Sequence, residues 1–249
     1  MKRTFRERNC TEERENRQQL LGESSVARAR NENMKQPKIV SFDMDGTLTD
    51  MEFVSSVWEE GVPKLYALKN QVSFEEARRK MRGEYDKVGK EKLEWYDLGY
   101  WLNKFDLDAS PEQVLNSFRE RIRVFEEVPR VLEKLRNKGY RLIVITNARR
   151  EFVDLEMRQT GIQGYFERIF SSPSDFKLTK NGTTVYEKVC AACEVSPNQL
   201  VHIGDDPDFD FEIPKKLGIN AFLIDRTRIK TGQFIVDSLE KFTNELKHV

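Results

Sequence analysis

Cysteine is scarce in this chain, with three residues among 249. That is too few for a disulfide framework in a protein of this length, and a reducing, cytoplasmic setting is the expectation. Long apolar runs are also missing. None approaches the ~18 residues that a membrane-spanning helix requires. The N-terminal stretch lacks the apolar segment of a secretory signal, and its glutamates are foreign to a transit peptide. Charge of neither sign is in excess, because 42 Lys and Arg face 42 Asp and Glu. Such a chain has no global field with which to recruit nucleic acid or an anionic membrane. Neither is an expected partner.

What is present suffices for one large domain, or for a core carrying a sizeable insertion. Residues 1–36 mix charges of both signs with few large apolar side chains, and are expected to form a disordered extension with at most a short helix near Gln18–Arg30. "PKIVSF" then reads as a short, buried, β-branched strand. Residues 51–125 switch to helical spacing, with Trp58, Leu65, Leu68, Met81, Trp95, Trp101 and Phe118 among the apolar positions. Ser73 with Glu76, and Ser110 before Pro111, are helix-start signals. This block, 51–125, is expected to be a helical bundle inserted after the first strand.

From residue 126 strands and helices alternate. "VPRVLEKLRNKG" is a helix that Gly139 stops, "YRLIVIT" a strand, and 149–160 a helix ended by Gly161. "ERIFSS", "QLVHIGD" and "INAFLID" are further strands, separated by helices at 183–194 and at "FDFEIPKKLG". A short strand near Phe234–Val236 and a last helix complete the pattern. Such alternation predicts an α/β fold, a doubly wound parallel sheet built from 37–50 and 126–249.

Ligands of open α/β sheets bind beyond the carboxyl ends of the strands. There the sequence places Asp43 and Asp45, then Thr146 and Asn147, then Ser171 and Ser172 with Lys177 and Lys180 downstream, then Asp205, Asp206 and Asp210. Asp43 and Asp45 are two apart, so in extended chain they face one side. One can attack as a nucleophile while the other transfers protons. Gly46 permits a tight turn whose N–H groups can face an anion. Asp43, Asp205 and Asp210 suit a hard cation with oxygen ligands, Mg²⁺. A lysine, Thr146 and Asn147 would bind a phosphoryl group.

"DMDGTLTD", "VITNA", a downstream lysine and "GDDPDFD" resemble, in order, the four motifs of the haloacid dehalogenase-like hydrolase superfamily. The resemblance covers about Lys38 to Arg226. It implies a Rossmann-like core, Asp43 as the nucleophile that forms an aspartyl-phosphate, and Asp45 as the acid and base. It further implies that Thr146 binds the phosphoryl oxygens, that Asp205 with Asp43 and the Asp45 carbonyl binds Mg²⁺, and that Asp210 supports the site. The family's lysine is usually followed by proline, with an aromatic residue six positions on. Lys180 precedes Asn181, not proline, but has Tyr186 six positions on, which selects it over Lys177. Dehalogenating members lack an acid two residues after the nucleophile, because a halide leaves without a proton. Asp45 therefore points to phosphate esters, and the helical insertion at 51–125 resembles the small cap of the subgroup that acts on small metabolites.

Other features read more plainly. Cys190 and Cys193 lack a second ligand pair for zinc and sit at core-like spacing. His202, within a strand, reads as structural, and His248 is uninformative. Asp206 and Asp208 read as surface or supporting groups. Arg78, Arg79, Lys80 and Arg82 read as a solvated helix face that has the chance of meeting an acidic substrate, and Arg149 is a further candidate for substrate contact. The expected activity is Mg²⁺-dependent phosphatase, in a monomer or homodimer. The rivals are a phosphomutase of the β-phosphoglucomutase type and a non-enzymatic protein that binds a phosphorylated ligand.

Overall fold

The computed structural model describes residues 38–246. The expected 1–36 extension, the helix near Gln18–Arg30 and His248 lie outside the described residues. The chain begins with β1 (Ile39–Phe42) and enters a helical block. The block comprises α1 (Glu52–Ser56), α2 (Val62–Asn70), α3 (Phe74–Val88), α4 (Leu98–Lys104) and α5 (Pro111–Phe118). Then come α6 (Val128–Asn137), β2 (Arg141–Thr146), α7 (Arg150–Thr160), β3 (Arg168–Ser171) and α8 (Thr184–Cys193). The chain continues through β4 (Leu200–Gly204), α9 (Ile213–Lys216), β5 (Asn220–Ile224), β6 (Ile235–Val236) and α10 (Leu239–Glu245).

The six strands form one parallel sheet in the order β3-β2-β1-β4-β5-β6. Order reverses between β1 and β4, which is where doubly wound sheets bind ligands. Both faces are covered, so β1 is apolar nearly throughout and wholly buried. The two-residue period still assigns its side chains. Val40 and Phe42 join Val144, Ile203 and Phe222 under α6 and α10, whereas Ile39 joins Ile143 and Ile145 under α8. On α6, Val131, Leu132 and Leu135 supply the buried stripe. Each such side chain contributes about 1.5–3 kcal/mol relative to exposure, so packing outweighs helix propensity here.

The helical block has its own apolar cluster around Trp101, which is fully buried, stacked on Phe105 at 5.8 Å and met edge-on by Tyr85 at 4.7 Å. Its helix starts follow the sequence signals. Ser73 accepts from the Glu76 N–H, and Ser110 and Gln113 form a reciprocal capping box. Two expectations need correction. Leu68 is 81% exposed and belongs to no apolar face. Trp58 and Trp95 are only partly buried and line a cavity instead of filling the interior.

Helix α7 joins the two apolar clusters. Val153 and Met157 pack with the sheet, while Phe152 and Leu155 complete the cluster of the helical block. Glu156, fully buried, lies on the same helix. Among the described residues no helix is long and apolar enough to cross a membrane.

Cys190 and Cys193 are free thiols packed under the sheet with Val185 and Val189. Burial, with Cys193 adding a smaller push, raises the Cys190 thiol from 9.0 to about 11. That shift alone lowers its thiolate fraction roughly a hundredfold. Peptide-resolved mass spectrometry after iodoacetamide at pH 8 should therefore find both cysteines unmodified in the native protein and modified in urea. Equal labelling in the two states would contradict this packing.

Candidate active site

The turn after β1 is set by backbone bonds. The Asp43 N–H donates to Ile203 O at 2.8 Å, so strand geometry continues to Asp43. Beyond it, Met44 O accepts from the Leu48 and Thr49 N–H groups, and the Gly46 N–H donates to Thr49 O. Gly46 has φ 76°, and a Cβ there would lie 2.3 Å from Asp205 Oδ2. Only glycine lets the two acidic strand ends approach this closely. Arg226, just after β5, grips the turn from behind. It donates to Gly46 O at 3.2 Å and Thr47 O at 2.7 Å, pairs with Glu127 at 2.7 Å and lies over the Phe125 ring.

Lys180 is the centre of the constellation. Its Nζ donates to Asp43 Oδ1 at 2.6 Å, to Asp210 Oδ1 at 2.5 Å and to Ile145 O at 3.1 Å. The side chain is 2% exposed. Burial alone would lower its pKa, but the Asp210 and Asp43 carboxylates overcome this and push it well up. Asp210 mirrors it: burial pushes its carboxyl up, and the Lys180 charge with the His202 hydrogen bond pulls it below the usual range. Asp43 is raised to about 6 because burial outweighs the pull of Lys180. His202 Nε2 lies 3.0 Å from Asp210 Oδ1 and Nδ1 lies 2.8 Å from Ser41 Oγ. Burial lowers its pKa, so the neutral ring donates from Nε2. His202 thus braces the acid cluster. Gly204 leaves room for it, since a Cβ there would lie 2.3 Å from Asp210 Cγ.

Lys177 stands outside the cluster, exposed, with its Nζ on Ser174 O. The segment carrying Lys180 is fixed by Asn147, whose Oδ1 accepts the Lys180 N–H at 2.9 Å while its Nδ2 donates to Tyr96 Oη. Tyr186 donates to Phe209 O at 2.6 Å and steadies the segment before Asp210. Thr146 Oγ1 accepts the Ala148 N–H, which leaves its hydroxyl proton available toward the cavity. Ser171 instead donates to Ala148 O and, like Ser172, does not line the cavity.

Asp43, Asp45, Thr146, Asn147, Lys180, Asp205 and Asp210 all line one cavity of about 620 Å³. Carboxylate oxygens of Asp43, Asp205 and Asp210 lie within 4.8 Å of one another. Asp205 faces the open cavity; the surrounding protein and the charges of Asp43 and Asp210 raise it to about 8. Such an oxygen set fits a hard divalent cation. Within it, Asp210 is already engaged by Lys180, His202 and the Asp206 N–H, so it braces the site and leaves Asp43 and Asp205 as side-chain donors.

Several contributors have no motif to announce them. Glu156, raised to about 8 by burial, accepts from Thr49 Oγ1 at 2.8 Å, while its Oε1 and Asp45 Oδ1 are buried without a hydrogen-bond partner. Burial, then the charges of Glu156 and Asp43, hold Asp45 well above the carboxylate range. An acid on the buried stripe of α7 was the available signal. The helical block reaches the core through residues 90–97. Lys90 pairs with Asp206 at 2.8 Å, Thr179 donates to Glu91 O, and Arg149 pairs with Asp97 at 2.6 Å. Asp206 is therefore a contact of the helical block, and Asp208 is exposed. Of the basic run, Arg82 reaches the cavity but, like Arg78, is paired with Glu59.

An open parallel sheet that gathers acids, a buried lysine and a hydroxyl at its switch point has the architecture of a doubly wound, Rossmann-like α/β enzyme. Residues 37–218 match the haloacid dehalogenase-like hydrolases, and the chain belongs to that family. It is 29% identical to the GMP/IMP nucleotidase YrfG of Escherichia coli over 184 residues, 74% of this chain and 81% of that one. It is 28% identical to haloacetate dehalogenase H-2 of Moraxella sp. over 200 residues, 78% and 88% of the two chains. A HAD phosphatase from Thermococcus onnurineus has the same fold, with TM-score 0.76 and 24% identity over 84% of this chain and 97% of that one.

Lys180→Met would leave Asp43 and Asp210 facing each other without their cation. Removing one partner of a buried pair typically costs about 3–5 kcal/mol, and urea unfolding in EDTA should show a loss of that size. Adding Asp210→Asn should recover part of it. A loss below about 1 kcal/mol would mean that Lys180 does not hold the cluster together.

Proposed function

We propose that this protein is a Mg²⁺-dependent phosphatase that hydrolyses a small phosphorylated metabolite through an aspartyl-phosphate. The observation that carries the reading is the convergence of Asp43, Asp45, Thr146 and Lys180 on one cavity. Lys180 fixes Asp43 Oδ1, which orients the carboxylate for attack on phosphorus. As the Asp43–phosphorus bond forms and the ester P–O bond breaks, Asp45 gives its proton to the leaving oxygen. Water then attacks the phosphoryl group, Asp45 takes the proton back, and phosphate and the Asp43 carboxylate are released. Thr146 donates to a transferring oxygen, the Lys180 charge stabilises the phosphoryl group from beside Asp43, and Asn147 and Asp210 hold Lys180. When bound by Asp43, Asp205 and the Asp45 carbonyl, Mg²⁺ neutralises charge on the phosphoryl group.

Asp45 argues for phosphate esters over organohalides, since an alkoxide needs a proton to leave and a halide does not. The named activity of the nucleotidase relative supports the same choice. Residues 51–125 act as a cap over the core formed by 37–50 and 126–249, selecting the leaving group and excluding water. A cytoplasmic protein without nucleic-acid or membrane partners fits this chemistry.

Phosphate release from a panel of small esters, with Mg²⁺ or EDTA, tests the reading. Asp43→Asn should abolish release and EDTA should suppress it. Asp45→Asn should slow alkyl phosphates about 10²–10⁴-fold, and p-nitrophenyl phosphate far less, because its leaving group needs little protonation. Release that survives Asp43→Asn would remove the nucleophile, and isomerisation of a sugar phosphate without release would favour a mutase.

A further inference from the structure

The cavity has two chemically distinct ends. One is the charged cluster at the strand ends. The other is aromatic, and the proposed reaction does not use it. Trp58, on the π-helical segment that joins α1 and α2, lies nearly parallel to Phe152, with ring centroids 5.8 Å apart at 12°. Tyr85 stands edge-on to Trp58 at 5.7 Å and to Trp95 at 6.3 Å, and so separates the two indoles. Tyr85 itself is 7% exposed, whereas Trp58, Trp95 and Tyr96 keep surface open to the cavity.

A leaving group rich in hydroxyls would need free polar partners at this end. The basic side chains there are already paired, and the unpaired polar groups are the exposed Asp86 carboxyl, which would repel a second anion, and Ser55. Glu59 is held by Arg78 at 3.1 Å and by Arg82 at 2.7 Å, and Arg149 by Asp97 at 2.6 Å and Glu151 at 3.2 Å. Most of the remaining surface at this end is flat π surface from Trp58, Trp95 and Tyr96. Open indole faces flanking an edge-on tyrosine are sites on which a planar ring stacks, and stacking tolerates any base because each has a π-face. A cavity of about 620 Å³ is also larger than a two- or three-carbon acid phosphate needs.

From these contacts we infer that the preferred substrate carries a planar heteroaromatic ring: a nucleoside monophosphate whose phosphate meets Asp43 and Lys180 while its base stacks on Trp58 and Trp95. The inference rests on the phosphatase reading above. Tyr96 links the two ends, since its hydroxyl accepts from Asn147, the residue that holds Lys180.

The test compares kcat/KM for adenosine and guanosine 5′-monophosphate with that for ribose 5-phosphate, the same phosphate and sugar without a base. The nucleotides should be favoured at least about fivefold, the lower end of base stacking. Trp58→Leu and Trp95→Leu should each narrow the gap, mainly through KM, and Trp58→Phe, which keeps a ring, should restore it. In parallel, calorimetry with Asp43→Asn should show tighter binding of adenosine 5′-monophosphate than of ribose 5-phosphate. Hydrolysis of all esters without preference would overturn base recognition and leave the phosphatase standing. A preference that survives both leucine variants would overturn the stacking assignment. If no ester is hydrolysed the phosphatase reading fails, and equal binding of the two ligands would then remove base recognition as well.

Discussion

A lysine ammonium buried between two carboxylates organises this molecule. Lys180 comes from the segment between β3 and α8, Asp43 from the end of β1 and Asp210 from the segment after β4. Each of these charges alone would resist transfer from water by several kcal/mol. Together they are tolerable only in close, hydrogen-bonded contact, which ties three separate strand ends to a common point. Neutral His202 and Asn147 fix the remaining donors and acceptors, so the arrangement has little freedom to relax. A site with this much rigidity holds a nucleophile in one orientation, which is the part of phosphoryl transfer that a protein can supply.

The helical block meets that rigid centre along a different kind of contact. Its interior continues into α7 through Phe152 and Leu155, and its polar segment 90–97 touches the core through Lys90, Glu91, Tyr96 and Asp97. The apolar contact is continuous packing, whereas the polar ones are single, partly exposed pairs worth little each. The cavity wall is therefore anchored on one side and lightly held on the other.

Much of this was legible from sequence because it obeys short periods. Strand alternation, the capping serines and the spacing of Asp43 and Asp45 are all local, and the parallel sheet follows from their order. The choice of Lys180 over Lys177 came from a motif spacing, and the structure shows the two lysines in opposite environments. What escaped was set by tertiary packing. Trp58 and Trp95 look identical to Trp101 as sequence, and only the crowding around Tyr85 decides which indoles stay open. Glu156 and Arg226 carry no motif, and their partners lie 107 and about 180 residues away.

The clamp made by Arg226 has a consequence for how the protein is made. The turn after Asp43 belongs to the first described strand, yet the guanidinium that grips its carbonyls follows the fifth. β1 must also wait for β2, on the far side of the helical block, before it gains a sheet neighbour. During synthesis the first described strand thus waits for the fifth before its turn is locked, a long-range closure of the sort that slows folding. A nascent chain holds all its helical block before the nucleophile loop is locked, so acid repulsion in the unfinished site is met only once the C-terminal strands have left the ribosome.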